Sequence, residues 1–576
     1  MRFLALPILL FSIMAFAQKN NKYDTVFEKG NGNQSATYQE TIDFYMLLAK
    51  DFPTIKMQEM GLTDSGKPLH IITYNPDKVF DFNKINKTKA VILINNGIHA
   101  GEPDGIDASM MLFRDLALGK IKAPKNTVLV AIPVYNIDGA LNRNSTTRVN
   151  QDGPEEYGFR GNGRNYDLNR DFIKSDTRNT KSFIEIFHQI NPEVFIDNHV
   201  SNGADYQYEL TYIMTQANKL GKDLGDYLKD TMIHSLKKDL QGKKIEMTPY
   251  VNSFDGTPDK GFAQFFESPR FATGYTSLFN TIGFVVETHM LKKYAARVKA
   301  TYEFMTTTIN FTDANFQTIK ELRLKNEQNY TPKKTYPIQW QIDSSKVSTT
   351  TFLGYEGGYK KSDATTGNRL FYDRTKPYDK AVPYYREYKS VKDVIIPDAY
   401  IIPKAFWDVI DLLKSNNIQY SQLKKDTIIE VESYKIADYK TSNSAYEGHY
   451  PHRNTTVTST KVQVAFAKGD YVFSTSQKGV KYLLEALEPE AIDSFFNWNF
   501  FDTILQQKEG YSDYVFEDLA AKVLNENPEL KKELQNKIDK DAVFAKNPEA
   551  QLDWVYKHSV HYEKAHLQYP VYRWVK

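Results

Sequence analysis

Between residues 37 and 310 the apolar positions switch repeatedly between two periods. TYQETIDFYMLLAKDFPTIK (37–56) spaces them along one face of a helix, and Pro53 ends the pattern. PLHIITY (68–74) reads as a strand. AVILIN (90–95), TVLVAIPVY (127–135), EVFIDNH (193–199) and GFVVET (283–288) are short runs rich in Val and Ile, as strands buried on both faces require. Helical spacing fills the intervals near 103–118, 182–190, 218–240 and 292–309. This alternation predicts an α/β domain, a mixed and mainly parallel sheet flanked by helices.

The pattern changes after about residue 325. KNEQNYTPKKTYP reads as a polar linker, and beyond it strand and helix signals mix, with a helical stretch near 511–545. The expected division is one domain over 18–325 and a mixed or β-rich accessory domain over 331–576. At the start, Arg2, the apolar run LALPILLFSIMAF and Ala15-Phe16-Ala17 read as a signal peptide, 1–17, cleaved after Ala17. The expected product is secreted or periplasmic and keeps no stable membrane anchor.

Charge and cysteine usage narrow the chemistry. Lys and Arg number 73 against 71 Asp and Glu, a net charge of +2, with no block of one sign. Bulk electrostatics therefore recruit no nucleic acid. Cysteine is absent, which excludes disulfides, thiolate ligands and a catalytic thiol. A transition metal would need His, Asp or Glu.

In open α/β sheets ligands bind beyond the carboxyl ends of the strands. His99 and Glu102 follow AVILIN in the loop NGIHAGEPDG, Asn136 and Asp138 follow VLVAIPVY, His199 ends EVFIDNH, and Glu287 ends GFVVE. All fall at one end of the expected sheet. The i, i+3 spacing of His99 and Glu102 at a loop–helix junction lets both side chains turn to one side. Imidazole and carboxylate are zinc ligands, and His199 as a third leaves a position for water. Singly, each His also fits a structural hydrogen bond. Glu287 follows Phe284, Val285 and Val286, where a carboxylate is costly unless it is paired or functional. It reads as a general base or as an ion-pair partner. The segment 142–172 is rich in Gly and Asn and carries Arg143, Arg148, Arg160, Arg164 and Arg170, the composition of an ordered active-site loop. Arginine grips carboxylates with two parallel bonds. His289 shares a strand face with Glu287, and a structural hydrogen bond is its simpler role. His449 and His452, in EGHYPHRN, read as loop residues, with a second metal site as the alternative.

The ordered set is His-x-x-Glu, Asn-x-Asp-Gly, an Arg-rich loop ending in Asp-Leu-Asn-Arg, a strand-end His and a strand-end Glu. It resembles the carboxypeptidase A-like zinc carboxypeptidases over about residues 37–310, in the form of a secreted bacterial member. The resemblance implies one Zn2+ held by His99, Glu102 and His199. It implies Glu287 as general base, and Asn169 with Arg170 as the grip on a substrate's terminal carboxylate. It also implies Arg148 as the group polarising the scissile carbonyl, with Arg143 competing, and Tyr275 as the tyrosine over the substrate. The substrate implied is a peptide with a free C-terminal carboxylate. Two features depart from the family pattern: Asn-Ile-Asp-Gly replaces Asn-Pro-Asp-Gly, and His-Ala-Gly-Glu lacks an internal arginine. The same residues also fit a zinc amidase or deacylase, an endopeptidase of peptidoglycan stem peptides, or an inactive peptide- or glycan-binding protein.

Overall fold

The computed structural model describes residues 22–253 and 256–576, so the expected signal peptide lies outside the described residues. Eight strands form the main sheet: β1 (Ile55–Leu62), β2 (Pro68–Tyr74), β3 (Ala90–Asn96), β4 (Thr127–Ile132), β5 (Val194–Ser201), β6 (Leu210–Met214), β7 (Met247–Pro249) and β9 (Ile282–His289). The short β8 (Phe262–Ala263) pairs elsewhere. The order is β1-β2-β4-β3-β5-β9-β6-β7. The central strands β4, β3, β5 and β9 run parallel; β1 and β2 pair antiparallel to their neighbours, and β6 is antiparallel to β9 but parallel to β7. Every residue of β3, β4 and β5 is buried, which is why these segments are continuous apolar runs instead of alternating ones. β4 stops at Ile132, short of the expected residue 135, because Pro133 has no N–H to continue the ladder.

Helix Asp104–Ala117 packs against the long helix Tyr294–Glu327, and both pack on the sheet; helix Arg178–Ile190 packs against β1 and β3. Two helix expectations change. The helix expected near 292–309 continues to Glu327, so KNE closes the helix and does not begin a linker. Its kink at Asn315 (φ −117°, ψ 17°) coincides with a bond from the Asn315 side-chain amide back to the Phe311 carbonyl, 2.8 Å. The stretch 218–240 is not one helix, because Gly221 at φ +113° separates its first residues from a continuous helical run, 222–242, whose middle, Tyr227–Met232, is π-helical.

The C-terminal region is β-rich. β10 (Thr335–Ile342) pairs with β13 (Tyr388–Ile395), and β11 (Ser348–Lys361) with β12 (Asn368–Tyr385) forms a long hairpin whose end meets β8. The strands β14 (Ala399–Ile402), β15 (Ser421–Gln422), β16 (Thr427–Thr441), β17 (His452–Phe466), β18 (Tyr471–Ser474) and β19 (Tyr572–Trp574) build a second sheet. Three helices, Asp513–Glu526, Pro528–Lys540 and Pro548–Lys557, cover the helical stretch expected near 511–545 and extend past it. The region has its own sheets, yet one apolar core runs through both halves. Tyr482 stacks on Phe279 at 5.7 Å between ring centres. Among the described residues no helix is long and apolar enough to cross a membrane.

Candidate active site

The parallel strands end at one rim, and the chain turns there into the candidate ligands. Past β3, Gly97 takes φ +65°, a conformation only glycine adopts at low cost. The Glu102 N–H then bonds the His99 carbonyl at 2.9 Å, and this turn folds both side chains to the same side. On the neighbouring strands, His199 of β5 and Glu287 of β9 are register partners, so the pairing sets them side by side at the rim. Behind them the buried Asp104–Arg297 ion pair (2.8 Å) fixes the start of the Asp104–Ala117 helix. Thr288 also donates to Asp104, at 3.1 Å.

His99, Glu102 and His199 present one donor atom each, all within 4.8 Å of one another, and this is the one such group among the described residues. His99 Nδ1 lies 3.3 Å and His199 Nδ1 3.2 Å from the two Glu102 oxygens, with the rings nearly perpendicular at 78°. The opposite ring nitrogens face carboxylates: His99 Nε2 is 3.0 Å from Asp167 Oδ1, and His199 Nε2 is 3.0 Å from Asp197 Oδ2. Carboxylates at the far nitrogens fix ring orientation and leave the near nitrogens as bases toward a metal. Two imidazoles, one carboxylate and this backing fit zinc.

The electrostatics follow from burial against pairing. Burial would raise the Glu102 carboxyl, but Arg148 and His99 outweigh it and hold the group well below the usual carboxylate range. Burial would lower His199, and Asp197 and Glu102 instead lift it well above its ordinary value. Asp167 is partly buried, and His99, Arg160 and Arg170 outweigh its desolvation and hold it low. Glu287 goes the other way. Burial drives it up to about 7, opposed by His199 and reinforced by the nearby Glu102 and Glu267 carboxylates.

The residues expected from sequence, Tyr275 apart, line one cavity of about 520 Å³ with Glu287 among them. Arg148 donates to Glu102 Oε1 at 2.8 Å and to the Val200 carbonyl at 3.2 Å, which puts its guanidinium beside the ligands. Arg143 instead bonds the backbone of Ser35 and Glu156, away from the cavity. Asn169 holds the Ala272 N–H at 3.1 Å, and the Arg170 guanidinium lies 4.2 Å above the Phe271 ring. Tyr275 requires a correction. It is fully buried, packed against Phe172, Phe187 and Tyr482, with its hydroxyl 2.6 Å from Asn416 Oδ1. Its helix, Ala272–Thr276, turns it into the core, and the tyrosine that lines the cavity is Tyr250, just past β7.

His289 makes the structural bond anticipated for it, Nε2 to the Ala204 carbonyl at 2.7 Å. His449 bonds Asp176 (2.8 Å) and His452 bonds Asp502 (2.9 Å), so the two do not share a site. Sequence reasoning assigned no role to Arg160, Glu267, Asp167 or Asp197, although the first two line the cavity. Asp197 was findable, since it stands two residues before His199 on the same strand face. Asp167 sat inside the Asp-Leu-Asn-Arg string already noted.

The family model described as zinc carboxypeptidase matches residues 41–217, the segment that contains all three candidate ligands. Carboxypeptidase 2 of Trichophyton rubrum is 21% identical over 491 residues, covering 81% of this chain and 84% of the relative. Carboxypeptidase 2 of Trichophyton equinum is 22% identical over the same shares. Carboxypeptidase A from Helicoverpa armigera, a solved structure, is 15% identical with a TM-score of 0.37, covering 49% of this chain and 74% of that one. The family match and the site together mark an enzyme, a zinc metallopeptidase of the carboxypeptidase type.

Proposed function

We propose that this chain is a secreted metallocarboxypeptidase that uses one zinc ion to cleave the peptide bond next to a free C-terminal carboxylate. The observation that carries the reading is the convergence of the His99–Glu102–His199 group, Glu287, and the Asn169–Arg170 pair on one cavity. Zinc held by His99, Glu102 and His199 would lower the pKa of a bound water to about 7 and would polarise a carbonyl oxygen. Glu287, with its carboxyl near neutrality, takes a proton from the attacking water and returns it to the leaving amine. Arg148, held beside the ligands by Glu102 and the Val200 carbonyl, donates to the carbonyl oxygen as charge develops on it. Arg170, backed by Phe271 and adjacent to Asn169, binds the terminal carboxylate, while Asp167 and Asp197 hold the two ligand rings.

The test pairs metal content with product analysis. The purified protein should carry one zinc per chain and release single C-terminal residues from free-ended peptides in a chelator-sensitive reaction. C-terminally amidated peptides should be poor substrates. Preferential cleavage of acylated amino acids or of muropeptides would overturn the carboxypeptidase assignment, and zinc binding without any hydrolysis would favour a binding protein.

A further inference from the structure

Every residue lining the cavity falls between His99 and Met290, so the C-terminal half adds nothing to its wall. That half nevertheless packs behind the wall, and one of its contacts, the tip of the β16–β17 hairpin, reaches the loop that carries Asp167. Tyr446 and His449 exchange backbone hydrogen bonds (2.8 and 3.1 Å) around the central pair Glu447 and Gly448. Both central residues have positive φ, +48° and +78°. This two-residue turn suits Asn, Asp and Gly, and a glutamate at its first central position is held there against its preference.

The contacts made by the strained residue explain why it is there. Glu447 Oε2 accepts the backbone N–H of Asp167 at 2.8 Å. A side chain at Gly448 would come within 2.4 Å of the Tyr166 hydroxyl, so the tip lies flush on the same loop. His449 holds Asp176 at 2.8 Å and sits edge-on to Trp498. Asp167 is the hub of the site. Its Oδ1 meets His99 Nε2 (3.0 Å) and the Asn169 N–H (2.9 Å), and its Oδ2 accepts from Arg160 at 2.7 Å. Two carboxylates sharing one short stretch of backbone repel each other. Burial raises the Glu447 carboxyl, while the bond from the Asp167 N–H lowers it by more than the Asp167 carboxylate raises it.

We propose that Glu447 is a positioning residue. By gripping the Asp167 backbone from the C-terminal half it sets the Asp167 carboxylate, and through it the ring of His99 and the Asn169–Arg170 end of the cavity. This inference rests on the zinc reading of the site.

The test compares Glu447→Asn and Glu447→Gln with the parent in the full-length chain. Asparagine suits the turn better than glutamate but is one methylene too short to reach Asp167, whereas glutamine keeps both the reach and an acceptor oxygen. Glu447→Asn should leave the unfolding midpoint equal or higher. It should weaken zinc binding, measured by competition with a chromogenic chelator, by about threefold to tenfold, less than the roughly 10–100-fold expected of a residue bonded directly to a ligand. KM for a free-ended peptide should rise by a similar factor with a smaller change in kcat, and Glu447→Gln should restore both to within about twofold. Parental zinc affinity and KM in Glu447→Asn would overturn the proposal, as would losses in parallel with a lowered unfolding midpoint, or a Gln variant as impaired as the Asn variant. A parent that binds no zinc would instead overturn the reading of the site.

Discussion

The two halves of this chain use buried polar groups differently. In the first half, carboxylates, imidazoles and guanidinium groups crowd the strand ends and face a solvent-accessible cavity, where their mutual charges shift His199 up and Glu102 down. In the second half, buried charges such as the Arg573–Glu488 pair close on each other inside the core, away from the cavity lining. A charged group with its partner already in place holds structure, and one aimed at open space is available for chemistry. Burial alone therefore does not separate function from support. What separates them is whether the paired groups also face a cavity.

The contrast can be broken by substitutions on either side of it. The largest effect is expected at Glu287. Glu287→Gln should cut turnover by about 10²–10⁴ while zinc content, read by elemental analysis, stays at the parental level. Comparable turnover in the variant would remove Glu287 from the chemistry. Asp197→Asn, one step behind a ligand, should weaken zinc binding by roughly 10–100-fold, read by chelator competition.

On the structural side, Asp107 is buried with its carboxyl up to about 7, chiefly from desolvation, and accepts from Tyr294. A carboxyl whose folded pKa lies above its ordinary value favours the fold when protonated. Its contribution is full below the ordinary value of 3.8 and is lost as pH rises through about 7. The parent should therefore lose stability from about pH 4 to about pH 7, by an amount that Asp107→Asn removes, in thermal unfolding at both ends of the range. Tyr275→Phe should have the smallest consequence. Removing the hydroxyl from Asn416 should cost about 1 kcal/mol of stability and leave kcat/KM unchanged. A change in kcat/KM would return Tyr275 to the site.

Much of the site was legible because its chemistry is local in sequence. His99 and Glu102 share one turn, Asn169 and Arg170 are adjacent, and the Val- and Ile-rich strands announce where their ends lie. Tyr275 misled because its short apolar helix has no sequence mark that distinguishes a face toward the core from a face toward the cavity. Tyr250 was missed because β7 is only three residues long, too brief for any period to show. The break at Gly221 and the extension to Glu327 were decided by backbone conformation and packing, which apolar spacing does not encode. The shared core of the two halves was illegible for a different reason, since such pairings carry no local pattern.

The bond between Glu447 and Asp167 joins positions 280 residues apart. On a growing chain the three candidate ligands emerge early, well before the hairpin tip exists. Local strands and turns can assemble as they appear, whereas a closure of this span waits for most of the polypeptide. On the proposed reading, the brace on the Asp167 loop is in place only after synthesis has passed residue 447.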